Sequence, residues 1–148
     1  MKKAFTFIAA AMLFSSNVHA DQKEKDTEHC PQLDKITEVG TGVYRASGNN
    51  GEWIGTTQDA LLKSNKIHSF NSASILQEKS SSPMKFQNCS YNLGRGKQVQ
   101  LRFTLNNSQD YTVKTVGKHW QKGPGPFGLT EYFCENTSPE NCEFTIVK

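Results

Sequence analysis

Cys89-Ser90-Tyr91-Asn92-Leu93-Gly94-Arg95-Gly96-Lys97-Gln98-Val99-Gln100-Leu101-Arg102-Phe103-Thr104-Leu105 carries the clearest structural signal in this 148-residue chain. Val99, Leu101, Phe103 and Leu105 alternate with Gln98, Gln100, Arg102 and Thr104. That two-residue period belongs to a strand with one apolar and one polar face. Cys89, Tyr91 and Leu93 share a face in the same way. Gly94-Arg95-Gly96, between the two runs, supplies the backbone freedom of a tight reversal. The stretch predicts a β-hairpin with one buried face, anchored by a cysteine.

On the C-terminal side, residues 106–110 form a turn cluster and residues 111–116 (YTVKTV) read as the next strand. Pairing in sequence order would make a three-stranded meander. Residues 117–128 (GKHWQKGPGPFG) then break the pattern, with two prolines and four glycines around Trp120 and Phe127. Such a segment cannot be a regular strand throughout and predicts an irregular surface loop, where binding tends to reside. Residues 129–134 and 142–147 are expected to form a closing hairpin, with Phe144 and Ile146 on one face.

On the N-terminal side, residues 66–77 have strand character, but the apolar spacing breaks near Asn71, which predicts a bulge. Residues 78–83 (EKSSSP) read as a loop. Thr57 could cap a helical turn over 58–64 (QDALLKS). Residues 42–46 and 52–57 form a hairpin pattern around Ser47-Gly48-Asn49-Asn50-Gly51. Trp53 is expected in the core. About eight short strands spaced by turns predict an all-β fold, a small antiparallel β-sandwich or barrel. The pattern does not choose between the two.

Residues 1–20 read as a secretory signal peptide. Lys2 and Lys3 precede an apolar run too short to span a bilayer, and Val18-His19-Ala20 ends it with a small-residue cleavage pattern. Residues 21–29 (DQKEKDTEH) are charged and aperiodic, and are expected to be a disordered lead-in. Residues 30–148 then make a single β domain. The formal charge is +3. Removing the two signal lysines leaves 15 basic residues against 14 acidic ones. A nearly neutral domain lacks the concentrated basic face that nucleic acid requires. No later run is long and apolar enough for a membrane-spanning helix.

Cys30, Cys89, Cys134 and Cys142 give an even count in an exported chain, and so two disulfides. Of the three possible pairings, Cys134–Cys142 with Cys30–Cys89 is preferred. The first closes a short polar loop at little entropic cost, and the second ties the mature N-terminus to the central hairpin. The competing reading, a zinc site, lacks ligand spacing. No metal or cofactor is expected.

No nucleophile motif accompanies His29, His68 or His119. Glu38, Glu52, Asp59 and Glu131 could pair for acid–base chemistry, but their spacing identifies no pair and solvated positions are the default. Gly94-Arg95-Gly96 lacks the rest of a phosphate loop. The best candidate recognition surface is His119, Trp120, Lys122 and Phe127. Aromatics held by proline and glycine lose little entropy on binding. The alternative is that Trp120 and Phe127 plug one end of the core.

Several short elements occur together: Cys30-Pro31, Gly42-Val43-Tyr44, Gly51-Glu52-Trp53-Ile54-Gly55, Cys89-Ser90-Tyr91 and Cys142-Glu143-Phe144. In this order, after a signal segment, the chain resembles small exported proteins of gammaproteobacteria, Legionella and Coxiella relatives among them, grouped as domains of unknown function. The resemblance implies a disulfide-bonded β domain and transfers no catalytic residue. Three functions are therefore carried forward. The first is a non-catalytic interaction module of the bacterial envelope or secretion machinery, in the periplasm or secreted, with a protein partner. The second is a periplasmic inhibitor of lysozyme or a protease, presenting residues 47–51 or 117–128. The third is a small carboxylate-dependent hydrolase.

Overall fold

The computed structural model describes residues 26–57 and 66–148, which form eleven antiparallel strands joined by short turns. The signal segment (1–20), the start of the lead-in (21–25) and the helical turn expected over 58–64 lie outside the described residues. The strands are β1 (Thr27–His29), β2 (Thr37–Gly40), β3 (Val43–Ser47), β4 (Gly51–Thr56), β5 (Ile67–Gln77), β6 (Met84–Leu93), β7 (Gln98–Leu105), β8 (Thr112–Val116), β9 (Trp120–Pro124), β10 (Thr130–Glu135) and β11 (Glu143–Val147).

The central hairpin forms where its alternation places it. Cys89 pairs with Leu101 and Tyr91 with Val99. Arg95 (φ 64°) and Gly96 (φ 69°) turn the chain through the left-handed region, the backbone that matches strand twist in tight hairpins. The β3–β4 hairpin also forms as expected, around residues 48–50. The register of β5 on β6 shifts between Phe70 and Ser72, which is the bulge expected near Asn71.

β6 is the stem of a forked sheet. On one side it carries β5, then β10, then β9. On the other side the sheet divides. The C-terminal half of β6 pairs with β7, and that branch continues through β4 and β3 to β2. The start of β6 instead meets β8, through Met84 opposite Val113, and that branch continues through β11 to β1. The branches curl toward each other into an open half-barrel. Trp53 from β4, Phe86 from β6, Phe103 from β7 and Phe144 from β11 meet between them. Their ring centroids are 4.4 Å apart for Phe86–Phe144, 5.0 Å for Trp53–Phe103 and 5.5 Å for Trp53–Phe86. Trp53 is 1% exposed.

Three expectations are corrected. β8 does not continue a meander on β7. It crosses to the other branch and pairs with β11, Val113 opposite Ile146. That pairing brings Val113 and Ile146, both buried, onto one core face, a gain that sequence proximity could not reveal. β10 and β11 are not a hairpin either. β10 lies between β5 and β9, whereas β11 lies between β8 and β1. The third correction concerns the lead-in. Thr27–His29 is a strand on β11, with Glu28 opposite Phe144. The ordered frame therefore begins before Cys30.

Both disulfides join the expected partners, with Cα separations of 5.8 Å for Cys30–Cys89 and 5.7 Å for Cys134–Cys142. The first staples the segment after β1 to the stem. The second ties β10, on the undivided side of the stem, to the residue just before β11 in the β8–β11–β1 branch.

Candidate functional site

The segment 117–128 is more regular than its composition suggests. Residues 120–124 form β9, an edge strand on β10. Pro124 ends it, a position where a missing N–H is tolerated. Trp120 stands opposite Cys134, half-buried against the core, and its indole Nε1–H donates to the Glu143 carbonyl at 2.7 Å. Lys122 stands opposite Tyr132, with its ammonium 5.8 Å from the ring centroid. Tyr132 donates its hydroxyl proton to Gln77 Oε1 at 3.1 Å. His119, just before β9, is half-buried.

Phe127 is placed differently. It is fully exposed, at the tip of the β9–β10 hairpin. The tip is closed by two backbone hydrogen bonds, Gly125 N–H to the Leu129 carbonyl (2.8 Å) and Leu129 N–H to the Pro126 carbonyl (3.0 Å). Phe127 has φ 55° and Gly128 φ 75°. The left-handed region costs a residue bearing a Cβ roughly 1–2 kcal/mol. The four expected site residues thus divide. Trp120 packs at the base of the hairpin, the exposed Lys122 lies over Tyr132 midway along it, His119 precedes it, and Phe127 projects from the tip.

Among the described residues, the acidic candidates do not assemble. Glu38 Oε1 accepts from the Gly42 N–H at 3.0 Å. Glu52 is ion-paired with Arg45. Glu131 accepts from the Ser74 hydroxyl at 2.8 Å. Asp59 lies outside the described residues. His29 Nδ1 lies 2.9 Å from the Cys30 carbonyl oxygen.

One carboxylate escaped sequence reasoning. Glu28, in the segment expected to be disordered, is 2% exposed. Its Oε1 accepts from the Asn49 N–H at 3.1 Å, and its Oε2 from the Asn50 N–H at 2.6 Å. Burial pushes this carboxyl above the usual carboxylate range, although the two backbone donors pull it down. Glu28 therefore latches the end of one branch, β1, to the β3–β4 turn of the other. That contact holds Asn49 and Asn50 in place, while Ser47 and Asn49 remain exposed on the turn. No local pattern marks Glu28; its role exists only once the two branches face each other.

A second feature is an open cleft of about 490 Å³ in the crotch of the fork. Lys85, Phe86 and Gln87 of β6 form one wall and Arg102, Phe103 and Thr104 of β7 the other. Residues 108–111 close one end. Burial, with a smaller contribution from the Glu28 charge, pushes the Tyr111 hydroxyl up to about 12, so it remains a hydrogen-bond donor. It donates to the Phe103 carbonyl at 2.9 Å.

No curated protein and no solved structure matches the chain. A family model described as protein of unknown function (DUF3757) matches residues 22–145. With nearly the whole chain covered, the protein belongs to the DUF3757 family.

Proposed function

We propose that this protein is a non-catalytic binding module of the bacterial envelope or secretion machinery, exported through its N-terminal segment, that engages a protein partner through the β9–β10 hairpin tip. The observation that carries this reading is Phe127. A fully exposed aromatic held at positive φ is unfavourable twice, in hydration and in backbone conformation. The surrounding turn is over-determined by its own hydrogen bonds, so the ring is presented without a large ordering cost on binding. Trp120 stiffens the base of the hairpin. Two disulfides suit an oxidising compartment.

The test is site-specific photo-crosslinking in the producing cell, with benzoylphenylalanine at position 127. The expected result is a discrete adduct, absent when the probe replaces Arg95 in the opposite hairpin turn. Equal labelling from both positions, or none from 127, would remove the hairpin tip as the binding surface. The inhibitor reading would present residues 47–51 or 117–128, and the full exposure of Phe127 favours the second. It predicts loss of lysozyme or protease activity at micromolar protein, abolished by Phe127→Ser.

A further inference from the structure

We infer that the crotch of the fork is a second binding site, which takes an extended peptide segment alternating apolar and acidic side chains. The topology supplies the first reason. β6 pairs with β7 only through Cys89–Asn92 and with β8 only at Met84, which leaves residues 85–88 without a strand on that edge. β7 is paired with β6 only through Gln98–Leu101; from Arg102 onward its only strand neighbour among the described residues is β4, on the opposite edge. Two open strand edges therefore face each other across the cleft. An extended segment can pair with such an edge through its own backbone, as in strand addition.

The second reason is how these edges are satisfied at present. Side chains from the cleft lining occupy carbonyls on each wall. The Tyr111 hydroxyl donates to the Phe103 carbonyl at 2.9 Å, and Gln87 Nε2 donates to the Lys85 carbonyl at 3.2 Å. The exposed Gln87 contact can be exchanged for an incoming backbone N–H, whereas Tyr111, half-buried and edge-on to Phe103 at 5.8 Å, stays in place and borders the site.

The third reason is charge and alternation. Phe86 and Phe103 point to the core, so Lys85 and Arg102 stand on the outer face, and both are exposed. Asp110 is the one carboxylate in the lining. Side chains of an inserted strand would alternate between the phenylalanine floor and this cationic rim. The floor selects apolar residues and the rim selects acidic ones. A gap of about four residues accommodates roughly 13 Å of extended chain.

The probe is a blocked octapeptide of alternating valine and glutamate, titrated into ¹⁵N-labelled, disulfide-intact protein. The expected result is saturable shifts of the amides of Lys85, Gln87 and Phe103. The double variant Lys85→Glu/Arg102→Glu, altered only at exposed positions, should bind this peptide at least about tenfold more weakly. It should instead bind the valine–lysine counterpart. Phe127→Ser should bind the valine–glutamate peptide as the parent does, which separates this site from the hairpin tip. No saturable shift at millimolar peptide, shifts centred elsewhere, or indifference to the charge reversal would each overturn the proposal.

Discussion

Replacing Glu28 by glutamine keeps the shape of the latch and removes its charge. The carboxylate is 2% exposed and accepts two backbone N–H groups from the β3–β4 turn. Hydrogen bonds to a charged acceptor are worth about 1.5–3 kcal/mol each. Glutamine can accept one of them but turns its own NH₂ toward the other donor. Near neutral pH, where the buried charge also carries its desolvation cost, Glu28→Gln should destabilise by about 1–3 kcal/mol. The pH dependence is more diagnostic. The folded-state pKa of Glu28 is raised above 4.5, so the folded protein binds this proton more tightly than the unfolded chain. Stability from this group is therefore fully present below the unfolded value. It is lost as pH rises through the folded one. Each tenfold difference in proton affinity is worth about 1.4 kcal/mol. Urea unfolding of the parent and Glu28→Gln should be followed from pH 4 to 8. The difference between the two isolates this carboxyl from the other titrating groups. The parent's advantage should shrink on passing from pH 4.5 upward and then level off. A difference independent of pH, or one that grows with pH across this window, would refute the account of a desolvated latch.

Three further outcomes follow from the frame. Replacing Cys30 and Cys89 by serine releases a closure spanning 59 positions, and replacing Cys134 and Cys142 one spanning 8. The chain-entropy model gives losses of about 4 and about 2.5 kcal/mol, so the first pair should lower the urea midpoint more. Gly51→Ala should cost about 3 kcal/mol or more, because a Cβ there would lie 2.0 Å from the Thr104 carbonyl oxygen where β4 meets β7; the urea midpoint reads it. Trp120→Ala loses packing on the core and the bond to Glu143, and should lower stability by about 2–3 kcal/mol in the same assay.

What was legible in the sequence was local. The alternation of Val99, Leu101, Phe103 and Leu105 specified a strand and its buried face, and Ser47–Gly51 specified a turn. The cysteine pairing followed from loop length. What was hidden is the fork, because it depends on which distant strands bury the most together. Residues 111–116 read as the next strand of a meander, yet Val113 finds its partner in Ile146, beyond two intervening strands. The same limit hid Glu28: a carboxylate among charged neighbours carries no sign that a turn 21 residues on will bury it. The cleft is equally invisible, being a gap between elements rather than a property of either. The hairpin tip was legible as a region from its prolines and glycines. The division of labour within it was not, because Trp120 and Phe127 look alike until one is opposite Cys134 and the other is in solvent.

Phe127→Asn, measured for stability and for binding in the same preparation, tests the central claim most directly. Asparagine accepts the left-handed backbone more readily and exposes no apolar ring. It should therefore stabilise the fold by up to about 1 kcal/mol, while weakening capture of the partner crosslinked through position 127 by tenfold or more. The stability change and the binding change should have opposite signs, as at a surface retained for function at the expense of the fold. A variant that binds as the parent does, or that loses binding only because it unfolds, would contradict a binding role for the exposed ring.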